Sequence, residues 1–145
     1  MKKFKSQEGV AAVEFALVLP LLVLLAFGII EFSLVLFDKA VITNASREGA
    51  RAGILYRVPF STDPTAIVNN AVQSYCAPNG VSRLISLRSS TAQPAVELVA
   101  PLPAASGDPL TVRVTYRYNF LILPEFVAGL GGGINLQAET VMRME

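Results

Sequence analysis

Two carboxylates, Glu14 and Glu31, lie within a long apolar stretch that runs from Gly9 to Phe37. A charged side chain at the centre of a bilayer costs about 2.5–3.5 kcal/mol, so a carboxylate in such a stretch needs a partner. Cleavage after Gly9 would supply one, because Val10 would become the amino terminus and Glu14 the fifth residue of the shortened chain. The free amine of one copy could then neutralise the carboxylate of a neighbour, and that pairing would set the axial register between them.

The polar positions of this stretch also have simpler explanations. Glu14 can lie at a helix end with its carboxylate among lipid headgroups. Pro20 removes a backbone donor and predicts a kink, although membrane helices tolerate proline without a special purpose. Glu31 is predicted to make an intramembrane or interfacial polar contact, either near the outer interface or against another helix.

The apolar stretch itself predicts one transmembrane helix. The 23 residues of Phe15–Phe37 form a helix of roughly 35 Å, and a hydrocarbon core is about 30 Å thick. The stretch is too long for the apolar region of a secretory signal peptide, so we expect it to stay in the mature protein. Lys2, Lys3 and Lys5 precede it, which favours a cytoplasmic N-terminus and a C-terminal domain outside the cytoplasm.

Composition argues against most kinds of catalytic and metal site. The 145-residue chain has no histidine, the commonest general base and metal ligand. Its one cysteine, Cys76, excludes an internal disulfide, and a buried thiol is favoured over an intermolecular bridge. With a net charge of +1 the chain has no strong field for nucleic acid. We expect no enzyme activity, metal, cofactor, nucleic acid or small-molecule substrate.

Beyond the membrane the helix is predicted to continue as an amphipathic extension to about Arg57, where Pro59 prevents further helix. Small and apolar residues recur there at helical spacing: Val41, Ala45, Gly49, Ala52 and Tyr56. A stripe of this kind suits close packing. Its partner is either a neighbouring subunit or the sheet of the same protein, and both can apply at different heights.

The remaining residues predict a small domain of one short helix and about four antiparallel strands. Thr62 or Asp63 is a suitable N-cap for the helix, Pro64 suits its first turn, and Gly80 its end. The strands are expected at 81–89, 95–100, 110–120 and 134–144, of which the third alternates most clearly. The predicted fold is a pilin-like α+β arrangement, in which the outer half of the long helix covers the apolar face of the sheet.

A long apolar connection separates the last two predicted strands. It contains Pro124 and ends in three glycines, but no lysine follows, which argues against phosphate binding. Leu123, Phe126 and Leu130 are candidates for a contact loop that meets a membrane surface or a partner subunit. The alternative is that the apolar side chains of this connection tuck under the sheet.

The N-terminal third resembles a known family. Three segments in order, GVAAVEFALVLPLL, FGIIEF and TNASREGAR, are similar to the TadE-like pseudopilins of tight-adherence (Tad/Flp) pilus systems, over about residues 8–53. The resemblance implies that a prepilin peptidase cuts between Gly9 and Val10 and that Glu14 takes the role of the pilin carboxylate. Major type IVa pilins have Phe after the cut, so amino-terminal methylation stays open here.

By this resemblance the chain is a minor pseudopilin, and the implied regions are a leader over 1–9, a transmembrane helix over 10–37, a helix extension over 38–58 and an extracytoplasmic domain over 59–145. The implied partners are a prepilin peptidase, other pilins or pseudopilins, the pilus assembly platform and membrane lipid. The implied location is the bacterial inner membrane, with the fibre or its base as the place of action. The alternative is a single-pass membrane-anchored periplasmic binding or scaffold protein with an uncleaved N-terminus.

Overall fold

A computed structural model describes residues 5–54, 64–85, 93–99, 107–120 and 133–144, with side chains from residue 9 onward. Within these ranges the elements are helix α1 (Lys5–Ile54), helix α2 (Thr65–Cys76), a 3₁₀ turn (Pro78–Gly80) and strands β1 (Ala95–Val99), β2 (Pro109–Asn119) and β3 (Gly133–Arg143). The predicted α+β class and the long N-terminal helix are confirmed.

Helix α1 is 50 residues long and continuous through Pro20. It therefore joins the apolar segment to the amphipathic extension without a break, as the sequence predicted. The expected end near Arg57 lies outside the described residues. So do Tyr56 and the two candidate N-caps of α2, whose N-cap position is occupied by Pro64. The α2 helix ends at Cys76, and the 3₁₀ turn carries the chain on to Gly80.

The described strands form one antiparallel sheet in the order β1-β2-β3. Strand β2 is central, and its register pairs Thr111 with Val99 on one side and with Val141 on the other. Alternation assigns the two faces of β2. Its apolar side chains are buried toward the helices, and its threonines and arginines point away from them, as the pattern predicted.

The first predicted strand is wrong over the part that the structure describes. Residues 81–85 form no strand, and 86–89 lie outside the described ranges. Local bonds explain the difference, because Arg83 donates its backbone N–H to the Cys76 carbonyl and Ser82 bonds both backbone groups of Leu84. Leu84 is buried, so its apolar character reflects packing and not strand pairing.

The core lies between the upper half of α1, helix α2 and the sheet. All three contribute fully buried side chains, among them Ile42, Ala45, Val68, Val72, Leu110, Val112 and Val114. Two glycines allow the close approach. A Cβ added at Gly49 would lie 2.6 Å from Val72 Cγ2, and one added at Gly53 would lie 2.5 Å from Leu110 Cδ2. The small-residue stripe of α1 therefore packs against the protein's own α2 and sheet.

Candidate functional site

The lower part of α1, from Gly9 to Ile30, is the first part of the candidate site. The side chains of Val10, Glu14 and Pro20 are exposed there, as are nearly all of their neighbours. The helix over Gly9–Ile54 is long and apolar enough to cross a membrane, and its most apolar window is not buried in the protein. Exposure of apolar side chains on every side is the arrangement expected of a helix that lipid surrounds.

Gly9, Val10 and Glu14 lie in one helical segment, within two turns of each other. Among the residues that the structure describes, and apart from the adjacent residues and the local helix backbone, no heavy atom lies within 4 Å of a Cβ built at Gly9. The backbone around this position is therefore not enclosed by the domain. Glu14 projects from the same open segment, where its carboxylate can reach a group on a neighbouring molecule.

Glu31 marks the point where α1 enters the domain. It is 2 % exposed, and its Oε1 accepts a hydrogen bond of 2.5 Å from the Tyr118 hydroxyl, 87 residues further along the chain. Burial, and then the bond to Glu31, raise the pKa of Tyr118 well above its usual range, so the phenol remains the donor. The polar contact of Glu31 is therefore made at least in part within its own chain.

A second buried carboxylate, Asp38, lies two helical turns above Glu31 on the same face. Its Oδ1 accepts the backbone N–H of Ile85 at 2.9 Å. Its Oδ2 is buried and has no hydrogen-bond donor among the residues that the structure describes. Burial raises the pKa of Asp38 to about 6, against the lowering effect of the Ile85 bond.

Sequence reasoning did not single out Asp38 or Tyr118. The seven-residue spacing between Glu31 and Asp38 was a usable signal, because it places both carboxylates on one face of a helix. Nothing in the sequence pairs either of them with its partner, since Ile85 and Tyr118 lie far along the chain.

Other polar contacts join α1 to strand β3. The Lys39 ammonium donates to the backbone carbonyl of Gln137, and the hydroxyls of Ser46 and Thr140 share a hydrogen bond of 2.7 Å. Ser46 is fully buried, and its hydroxyl also donates to the Thr43 carbonyl at 2.9 Å, so the two bonds together satisfy a polar group inside the core. These contacts hold the upper half of the helix to the edge of the sheet.

The outer face of the sheet carries a charged row. Arg113 forms ion pairs with Glu97 on β1, at 2.9 Å, and Glu139 on β3, at 3.0 Å. The bonds to Glu139 and then to Glu97 raise the pKa of Arg113. The three residues are directly opposite one another in the register, so the row supports the strand alignment. Exposed pairs of this kind add little stability.

Cys76 is buried and free, as expected of a lone thiol in a small core. Burial raises its pKa to about 11, so the thiolate is disfavoured at neutral pH. The three candidate contact residues Leu123, Phe126 and Leu130 lie outside the described residues.

One stretch of α1 contains both the exposed apolar half and the small-residue stripe above it. Residues 9–51 match the family model of TadE-like protein. The resemblance inferred from the sequence is confirmed. The TadE-like segment, as we call residues 9–51, begins at the predicted processing residue and ends three residues before the end of α1. Neither a curated protein nor a solved structure matches the chain.

The TadE-like match indicates a function related to the Tad pilus and supports a membrane anchor formed by the N-terminal helix. TadE-like proteins are a structural and assembly family. All of the predicted site residues up to Glu31 lie within the TadE-like segment. The small domain, including Tyr118, lies beyond it.

Proposed function

We propose that this protein is a minor pseudopilin that takes part in assembly of a Tad/Flp-type pilus or a related secretion apparatus. The observation that carries the proposal is the match of residues 9–51 to TadE-like proteins, over a helix whose lower half is exposed on all sides. A helix of that kind needs lipid or other helices around it. The protein is then an assembly component and not a catalyst.

In this proposal the chain inserts into the bacterial inner membrane with its basic N-terminus in the cytoplasm and its small domain outside. A prepilin peptidase cuts between Gly9 and Val10. The open surroundings of Gly9 support this step, because a peptidase must reach the backbone at that point. Other pilins or pseudopilins, the assembly platform and lipid are the remaining partners.

After cleavage Glu14 pairs with the new amino terminus of a neighbouring subunit. The exposed position of Glu14 supports this role, since the chain places no described group of its own domain near the lower half of α1. The pairing neutralises a carboxylate that lipid alone would leave at a cost. A bend at Pro20 would adjust how the helix packs against its neighbours.

The test of processing is the mass and N-terminal sequence of the protein purified from membranes of its own host. We expect the chain to begin at Val10. Gly9→Ala should leave it uncut, whereas Gly28→Ala, at a helix glycine whose added Cβ would likewise meet no described residue outside the local helix, should be cut normally. A wild-type protein that keeps residues 1–9 in cells with active prepilin peptidase contradicts the proposal and favours a membrane-anchored binding or scaffold protein.

The test of the pairing role is Glu14→Gln. We expect this variant to be inserted and cut but to lose in-membrane crosslinks to other pilin-type subunits. Glu48→Gln, at an exposed carboxylate of the same helix above the membrane, is the matched control and should keep them. Unchanged crosslinking of the Glu14→Gln variant would show that the carboxylate has no part in subunit contact.

A further inference from the structure

The contacts between α1 and the sheet show which sheet residues lie beside each turn of the helix. Strand β2 runs antiparallel to α1, and four contacts at successive heights connect the helix with β2 or its partner strand: Glu31–Tyr118, Lys39–Gln137, Ser46–Thr140 and Gly53–Leu110. The β2–β3 register aligns the two strands, so the position of each sheet residue along the helix axis is known. The end of the sheet near Tyr118 is the end that faces the membrane.

This lower end of the domain comes very close to the apolar segment. Val10–Ile30 has 21 residues, about 31 Å of helix, which is just enough to cross a hydrocarbon core of about 30 Å. Glu31 follows immediately and is already covered by Tyr118. No helical turn separates the membrane-crossing length from the domain.

Apolar exposure continues above Glu31 on the side of α1 that faces away from the sheet. Phe32, Leu36 and Phe37 are 64 %, 52 % and 48 % exposed. They extend the lipid-facing surface of the lower helix by roughly 10 Å. A domain that stood clear of the bilayer would leave these three large side chains in water.

Two segments of α1 have the length and the apolar composition to cross the hydrocarbon core. In the first, Val10–Ile30 crosses the core, and Phe32, Leu36 and Phe37 lie in the headgroup layer beside the lower end of the sheet. In the second, Phe15–Phe37 crosses the core, and the lower end of the sheet lies deeper still. Both positions bring the Tyr118 end of the domain into contact with lipid.

We propose that the lower end of the domain, defined by Tyr118, Phe120, Asn135 and the Phe32 side of α1, is embedded in the headgroup layer of the bilayer. We take lipid as its partner, because the exposed apolar surface of the membrane-spanning helix extends without a break to this end of the domain. Phe120 is half-buried at this end and packs edge to face against the fully buried Tyr118, and aromatic side chains such as Phe120 favour this layer. Arg117 places a positive charge on the outer face of the same end, and positive side chains near the surface are attracted to anionic lipid.

The chain has no tryptophan, so a single introduced indole reports one position. Asn135→Trp and Val141→Trp form a matched pair, because both residues are exposed on the outer face of β3. They lie six residues apart, or about 20 Å along the strand. Asn135 pairs with Arg117 at the lower end, and Val141 pairs with Thr111 at the upper end.

The experiment measures tryptophan quenching for the full chain in phosphatidylcholine–phosphatidylglycerol vesicles that contain headgroup-labelled quencher lipids. We expect at least threefold stronger quenching and a blue-shifted emission for the indole at 135 relative to that at 141. Equal, weak quenching at the two positions overturns the proposal, because the domain then stands clear of the bilayer. If Asn135→Trp alters the sheet, Phe120→Trp at the same end replaces it.

A second copy of the chain is the competing occupant. Tenfold dilution of protein in lipid should leave the quenching at 135 unchanged, and a blue shift that disappears on dilution would instead indicate self-association. The measurement does not depend on cleavage after Gly9 or on other pilus components. Its failure would therefore leave the pseudopilin proposal intact, and failure of that proposal would not alter this result.

Discussion

The halves of α1 below and above Glu31 obey different packing rules within one continuous helix. Below Glu31 large apolar side chains are exposed on every side, and within the described part of the chain a Cβ added at Gly28 would have no neighbour within 4 Å beyond the local helix. Above Glu31 only one face of the helix is buried. There Gly49 and Gly53 let side chains of α2 and β2 pack directly against the α1 backbone. Glycine is therefore required for close packing in the upper half, whereas Gly28 makes no such contact with the described part of the domain.

The difference also applies to the carboxylates. Glu14, in the lower half, is exposed, and Glu31 and Asp38, where the domain begins, are buried. In the upper half the fold supplies the partner of a buried carboxylate, whereas in the proposed assembly a neighbouring subunit supplies the partner of Glu14. Substitutions in the upper half should consequently affect folding, and those in the lower half should affect assembly.

The largest expected effect comes from filling the glycine contact. Gly49→Leu places four carbons where a single Cβ would already lie 2.6 Å from Val72, so the domain should lose more than about 3 kcal/mol of stability. Gly28→Leu should leave domain stability unchanged. Urea unfolding in detergent micelles, followed by the near-ultraviolet tyrosine signal, measures both. Equal midpoints for the two variants would show that the halves do not differ in this way.

The next effect is a pH dependence centred on Asp38. Burial raises its pKa in the folded domain from 3.8 to about 6, so folding disfavours the ionised form. The contribution of Asp38 to the free energy of unfolding is therefore most favourable below about pH 4. About 3 kcal/mol of that free energy is lost as the pH rises through 6. Asp38→Asn should remove this loss and stabilise the domain at pH 7.5.

Unfolding free energies at pH 4.5, 6 and 7.5 test this prediction, with Glu48→Gln as the control at an exposed carboxylate of the same helix. The gain from Asp38→Asn should grow with pH, and the control should show no such trend. A gain that is the same at all three pH values would assign the effect to something other than ionisation of Asp38.

The smallest of the three effects is loss of the Tyr118 hydroxyl. Tyr118→Phe removes a donor from the buried Glu31 carboxylate and should cost about 1–3 kcal/mol of domain stability. Tyr75→Phe is the matched control at a half-buried tyrosine whose ring centroid lies 4.9 Å from the Arg83 guanidinium carbon. In a Glu31→Leu background the cost of Tyr118→Phe should largely vanish; an unchanged cost would mean that the hydroxyl acts elsewhere.

Several elements could be predicted because their signals are local. The alternation of β2 assigned its inner and outer faces correctly, since successive strand residues point to opposite sides. The strand predicted over 81–89 was wrong for residues 81–85 because an apolar residue such as Leu84 can be buried by a loop as well as by a strand. Alternation over so few residues does not distinguish the two.

The candidate site divides in the same way. The spacing of Gly9, Val10 and Glu14 is local and could be recognised in the sequence, and the TadE-like match covers it. The spacing of Asp38 from Glu31 places both on one helix face, but its hydrogen-bond partner could not be recognised, because Ile85 lies 47 residues away. A lone aspartate just beyond an apolar run otherwise suggests a helix residue at the membrane surface.

The sequence by itself determined that a long apolar helix precedes a small α+β domain, because transfer free energy and side-chain periodicity act over neighbouring residues. Only the tertiary structure decided how close the domain lies to the segment of α1 that crosses the membrane. Glu31 is covered by a tyrosine 87 residues away, and the register of β2 against α1 sets that height. Contacts of this range depend on how the whole sheet packs on the helix, and no short stretch of residues encodes them.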